Sequence, residues 1–252
     1  MERQVQGAGV ALACEVQGAG PPVLLVHGLG DAREGWRETA AALAGEATVI
    51  TYDRRGYGAS EAPEPYERTT VEEQAEDAAA VLAACASGPA VVCGEDFGAL
   101  VCLDLAQRHG DRLAGAVVID PPLHAFVAGA AERLATERVL IEARLRDEGP
   151  PAAAAALLAA EGHGPERQAR GAANHRALFA DWGGQPAWDY GRRGLRALDL
   201  PLRVLSSSHA GPHERAAADT LAGLAPQAVR WDGAAADAIR DLLGAAAVTR
   251  RA

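Results

Sequence analysis

Short, fully apolar runs alternate along this chain with longer stretches in which apolar residues recur every three or four positions. Val23-Leu24-Leu25-Val26 is continuously apolar, as a strand buried on both faces should be. Similar runs at 47–52, 89–94, 114–120, 202–205 and 228–231 predict further strands, and residues 8–16 predict one before them. Between the strands the period lengthens. Glu34 to Leu43 places Trp36, Ala40 and Leu43 on one helical face. Thr70-Val71-Glu72-Glu73 is a capping box opening a helix whose stripe is Val71, Ala75, Ala78 and Leu82. Phe97, Leu100, Val101 and Leu105 form the inner face of a helix ended by Gly110, and two more helices are predicted near 213–223 and 234–246. Strands separated by helices predict an α/β fold with a mostly parallel sheet. From 121 to 199 the strands stop and the pattern becomes Ala-rich and helical, including the run from Pro150 to Ala160.

Chemistry gathers where the strands end. The run at 89–94 leads into Gly94-Glu95-Asp96-Phe97-Gly98 and then a helix, a strand-turn-helix that presents one side chain, Asp96, between two glycines. His27-Gly28-Leu29-Gly30 follows an earlier strand, and Asp53-Arg54-Arg55-Gly56-Tyr57-Gly58-Ala59-Ser60 follows another. These three motifs, in this order, resemble the α/β-hydrolase superfamily, over roughly residues 8–120 and more loosely over 200–246. The aspartate at the elbow is similar to that of haloalkane dehalogenases and epoxide hydrolases. The resemblance implies a hydrolase-type core formed by 1–120 and 200–252, with a helical lid over 121–199. It also implies an oxyanion hole made by the backbone N–H groups of Leu29 and Phe97.

The second half departs from the family pattern. Those relatives carry an acid after the strand near 202–206 and a histidine after the last strand. Here the first loop reads Ser206-Ser207-Ser208-His209 with no carboxylate before Glu214, and no histidine follows His213. Without that base an ester on Asp96 would accumulate. The sequence therefore favours a cofactor-independent, non-hydrolytic enzyme: a lyase, cyclase or C–C bond-forming catalyst in which Asp96 is acid or base toward an enolisable or aromatic, natural-product-like molecule. Two alternatives stay open. One is a hydrolase of epoxides, haloalkanes or esters with Asp96 as nucleophile and a relocated histidine; the other is an inactive binding or scaffold protein. His209 is the leading relocated base and His124, at the entrance of the helical segment, a further one, while Asp120 at the strand end before it is the acid that could orient a base. His27, Phe126, Trp182, Trp188 and Tyr190 are expected to wall the substrate pocket, as is Phe97. His213 is placed in the first turn of the following helix, and His109, His163 and His175 are expected on the surface.

Charge and composition narrow the partners. The net charge is −10 and all 24 basic residues are arginine, so no basic footprint for nucleic acid or an anionic membrane is present. No window is long and apolar enough for a membrane span, and the Met-Glu-Arg-Gln start lacks a signal-peptide core; a cytoplasmic protein is expected, monomeric or homodimeric, acting on a small apolar or aromatic compound. Cys14, Cys85, Cys93 and Cys102 lie in predicted strands or helices without metal-ligand spacing and read as buried hydrophobes. No metal or other cofactor is expected.

Overall fold

A computed structural model of the chain describes residues 1–188 and 190–249. Eight strands form one sheet: β1 (Glu2–Gln6), β2 (Ala11–Gln17), β3 (Pro22–Val26), β4 (Thr48–Tyr52), β5 (Ala90–Glu95), β6 (Leu113–Ile119), β7 (Leu202–Leu205) and β8 (Ala228–Arg230). Their spatial order is β1-β2-β4-β3-β5-β6-β7-β8. The first two pairings, β1 with β2 and β2 with β4, are antiparallel, and the rest are parallel. Strand β3 and the apolar part of β5 are central and buried, because helices cover both faces of the sheet.

Strand β1 is absent from the sequence reading. Glu-Arg-Gln-Val-Gln buries only Val5, so it carries no apolar run; its backbone pairs with β2 through a turn at Gly7–Val10 and leaves a polar edge. The helix expected over Glu34–Leu43 divides into a 3₁₀ turn, Arg33–Trp36, and α1 (Arg37–Leu43). α2 (Val71–Cys85) begins with the Thr70 side chain accepting from the Glu73 N–H at 3.1 Å. The Glu73 carboxylate does not return to the cap; it accepts from Thr69 Oγ1 and pairs with Arg55. α3 (Phe97–His109) packs between β5 and β6 and is almost entirely buried in its first ten residues.

Among the described residues, five α-helices lie between β6 and β7: α4 (Ala130–Asp147), α5 (Pro150–Ala160), α6 (Pro165–Ala173), α7 (His175–Gly184) and α8 (Arg192–Arg196). The chain then returns through β7, α9 (Pro212–Leu224), β8 and α10 (Ala235–Thr249). The helical insertion has its own small core of Ile141, Ala153, Leu157, Leu158 and Leu178, packed on Leu29. A buried polar network ties it to the sheet. Arg54, following β4, donates to the carbonyls of His27 and Gly28, to Gln74 and to Asp181 on α7, while Tyr57 Oη donates to the same Asp181 oxygen. Each of these groups is fully or nearly fully buried, and each finds a partner. Among the described residues no helix is long and apolar enough to cross a membrane.

Candidate active site

Asp96 sits between β5 and α3 with φ 52° and ψ −122°, a region that costs a non-glycine residue strain. Two features hold it there. Its N–H donates to the Ile119 carbonyl at 2.9 Å, and its own carbonyl accepts from the Ala99 N–H at 2.9 Å. The flanking glycines are required by contact: a Cβ on Gly94 would strike the Gly98 carbonyl, and one on Gly98 would strike the carbonyl of Val26. The strain is thus fixed by the sheet and helix around it.

The Asp96 carboxylate is held by one oxygen. Oδ2 accepts from the Leu29 N–H at 2.9 Å and lies 3.5 Å from Nη2 of Arg167, which reaches in from α6. Oδ1 takes no hydrogen bond from the described residues, and the side chain keeps 18 % exposure. Arg167 also donates to Glu95 Oε1 at 2.6 Å and to the Leu29 carbonyl at 3.2 Å. This approach depends on Gly28, where a Cβ would come 2.5 Å from Arg167 Nη2. Arg167 gives no sequence signal, since it stands in the polar run Pro165-Glu166-Arg167-Gln168, 71 residues from the carboxylate it meets.

The electrostatics follow from burial and that arginine. Burial pushes the Asp96 carboxyl above its usual range, and Arg167 and the Leu29 N–H recover only part of the shift. Glu161, at the end of α5, is pushed up further by burial and then by the Asp96 charge. The two titrate as a pair in which Glu161 holds the proton longer. Burial would also raise Glu95, but Arg167 and then His163 outweigh it and hold that carboxyl below its ordinary range.

Asp96 opens onto a cavity of about 1310 Å³ between the strand ends and the helical insertion. Phe126, Trp182, Trp188 and Tyr190 line it, with His124 at one side and His209 at another. Trp188 and Tyr190 stack with ring centroids 4.5 Å apart. Two polar atoms in the wall, Tyr190 Oη and Glu161 Oε2, are buried and find no hydrogen-bond partner among the described residues.

The remaining expected residues divide. Asp120, at the end of β6 with φ 46°, accepts the Ser207 N–H on both oxygens at 3.2 Å and so secures the β7–α9 loop that carries His209. His213 lies in the first turn of α9. His27 does not wall the cavity. It is buried, its Nδ1 lies 3.0 Å from the Gly28 carbonyl, and its Nε2 accepts from the Arg54 N–H at 2.9 Å. Burial, followed by the Arg54 charge, drives its pKa well down, so it is a neutral brace for the turn. Phe97 is likewise buried beneath the Arg54 guanidinium rather than in the cavity wall. His163 is not a surface residue: its side chain is 8 % exposed and packs edge-on against His209 with centroids 4.6 Å apart. The helical signal around it ended at Ala160, and the contact is made in the turn that follows, where local pattern is silent.

Comparison with known proteins agrees with this geometry. The family model described as "alpha/beta hydrolase fold" matches residues 21–140. An α/β hydrolase from Sphaerobacter thermophilus superposes with a TM-score of 0.72 at 25 % identity, covering 97 % of this chain and 99 % of that one. The chain belongs to the α/β-hydrolase superfamily. Within that superfamily it is 37 % identical over 126 residues to the uncharacterized hydrolase YraK of Bacillus subtilis, a match covering 50 % of this chain and 46 % of YraK. It is 38 % identical over 104 residues to epoxide hydrolase B of Mycobacterium tuberculosis, covering 41 % of this chain and 29 % of that protein. The matched segments thus span less than half the length of these two relatives.

Proposed function

We propose that this α/β-hydrolase-fold enzyme hydrolyses a small apolar or aromatic electrophile, an epoxide or an alkyl halide, through an ester formed on Asp96. The observation that carries the reading is the bond from the Leu29 N–H to Asp96 Oδ2. A site built to hold a substrate enolate would present that N–H to the substrate. Here it already faces the oxygen that becomes the oxyanion when water attacks an Asp96 ester, and Arg167 stands on the same atom. The hydrolytic alternative is therefore better supported than the non-hydrolytic reading the sequence favours, and the likeness to YraK and to epoxide hydrolase B points the same way. The open cavity over Asp96 favours an enzyme over a scaffold.

In this mechanism Asp96 Oδ1 attacks carbon and the carbon–oxygen or carbon–halogen bond breaks. Its electron pair leaves with the departing atom. An epoxide oxygen takes a proton from one of two acids in the wall, Tyr190 or Glu161, the latter with Oε2 3.7 Å from His163 Nε2. His209 then removes a proton from water as the water attacks Asp96 Cγ, and the negative charge on Oδ2 is stabilised by Leu29 N–H and Arg167. Collapse expels the alkoxide, which takes the proton from His209 and departs as the alcohol or diol, and the Asp96 carboxylic acid gives its proton back to the wall acid after epoxide opening, or to solvent after halide loss, restoring the carboxylate. Asp120 positions His209 through the loop, and Glu95, with an oxygen within 4.8 Å of the His209 ring, is the acid facing that base.

Intact-protein mass spectrometry with styrene oxide and a set of alkyl halides tests this. His209→Gln should accumulate a substrate adduct on Asp96, Asp96→Asn should form none, and both should lower turnover by roughly 10³-fold or more. Turnover by Asp96→Asn at the wild-type rate would refute it.

A further inference from the structure

Beside Asp96, Glu95 and His209 are joined by a third side chain for which the hydrolytic reading has no use, His163. Glu95 ends β5, His163 lies in the turn between α5 and α6, and His209 lies in the loop after β7. One carboxylate oxygen and one ring nitrogen from each histidine all fall within 4.8 Å of one another.

The backbone fixes this convergence. Gly162, beside His209, has φ +85°, a conformation that favours glycine and turns the chain so that His163 faces the His209 loop. The His163 N–H donates to the Leu158 carbonyl at 2.9 Å, and its own carbonyl accepts from Gln168 Nε2 at 2.6 Å. The His209 loop is held by the Ser207 N–H on Asp120 and by the Ala210 N–H on the Ser207 carbonyl. Arg167 occupies Glu95 Oε1 and leaves Oε2 without a hydrogen bond from the described residues. Two carboxylates, Glu95 and Asp96, share this one arginine at 2.6 and 3.5 Å, leaving negative charge beside the two imidazoles.

We propose that Glu95, His163 and His209 form a site for one divalent transition-metal ion, and that its occupancy withdraws His209 from water and arrests turnover. Two imidazoles and one carboxylate select zinc, cobalt or nickel over magnesium and calcium, which favour all-oxygen shells. The site itself stands independently of the reaction; the arrest of turnover rests on His209 being the base.

Titration of the metal-stripped full chain with Co²⁺, followed by visible absorption, and with Zn²⁺, followed by calorimetry, tests the site. One equivalent per chain is expected, with binding weakened at least 10-fold in His163→Ala and in Glu95→Gln and unchanged in His175→Ala. Magnesium should not compete. Thermal melting of each variant separates lost ligation from lost folding, and His163→Gln serves if the alanine variant does not fold. Cobalt binding that is equally tight in wild type and in folded His163→Ala or His163→Gln would overturn the assignment, as would no binding at all. Zinc should also inhibit hydrolysis by wild type and not by His163→Ala. Zinc binding without inhibition would remove the regulatory half of the inference and leave the site, and an absence of any hydrolysis would count against the proposed reaction alone.

Discussion

At the scale of single residues, the site is organised by one arginine that the sequence does not advertise. Arg167 faces Glu95 and Asp96 together, and its guanidinium stays charged because these two carboxylates more than offset the burial that opposes it. Its effect on Asp96 has a definite sign. Burial raises the Asp96 pKa, and Arg167 is the largest influence lowering it again. The proposed hydrolysis needs the carboxylate ionised, so activity should fall as pH drops through a value above the usual aspartate range. Arg167→Met should move this acid limb of kcat/KM to higher pH by about 1 or more on the pH scale. An unmoved limb would show that Arg167 does not sustain the charge on Asp96. His27 illustrates the opposite case: a histidine beside a catalytic strand end whose two ring nitrogens are both committed to backbone.

At the scale of elements, the helical insertion is locked to the sheet through Asp181. Its carboxylate accepts from Arg54 at 2.7 Å, Tyr57 at 2.7 Å and Gln74 at 2.7 Å, all inside the protein. Asp181→Ala would leave a buried guanidinium without its counter-charge and should cost about 3–5 kcal/mol in urea unfolding, whereas Asp181→Asn, which keeps the shape, should cost less. Equal and small losses for both would show that the pair is not holding the insertion. This network also marks how far local pattern reaches. Strands β3 to β8 and the helices α2, α3, α9 and α10 were legible because each buries a face with its own period. The elbow and the Leu29 donor were legible because glycine spacing reports backbone geometry. The pairings of Arg54 with Asp181, Arg167 with Asp96 and His163 with His209 were not, for they join segments separated by 46 to 127 residues and leave no periodic trace. β1 escaped for a different reason, since an edge strand needs backbone partners and little apolar surface.

At the scale of the whole molecule, the sheet supplies the chemistry from one side and the insertion supplies the walls. Of the four tryptophans, Trp182 and Trp188 line the cavity, while Trp36 and Trp231 pack on the opposite face of the sheet against α10 and its neighbours. An aromatic epoxide or alcohol entering the cavity should therefore change the intrinsic fluorescence, and Trp182→Phe should remove a large part of that response. A response untouched by Trp182→Phe and by Trp188→Phe would place the ligand elsewhere. The order of strands has a consequence in time as well as in space. β6 pairs with β5 on one side and with β7 on the other, and residues 120–201 must be made before β7 exists. At about 5–20 residues per second, a ribosome leaves the Leu-Ala-Gly-Ala-Val-Val-Ile edge of β6 unpaired for roughly 4–16 s. For that interval the nascent chain displays an apolar strand edge of the kind that seeds aggregation, and the yield of folded protein depends on how well the emerging insertion or a chaperone shields it.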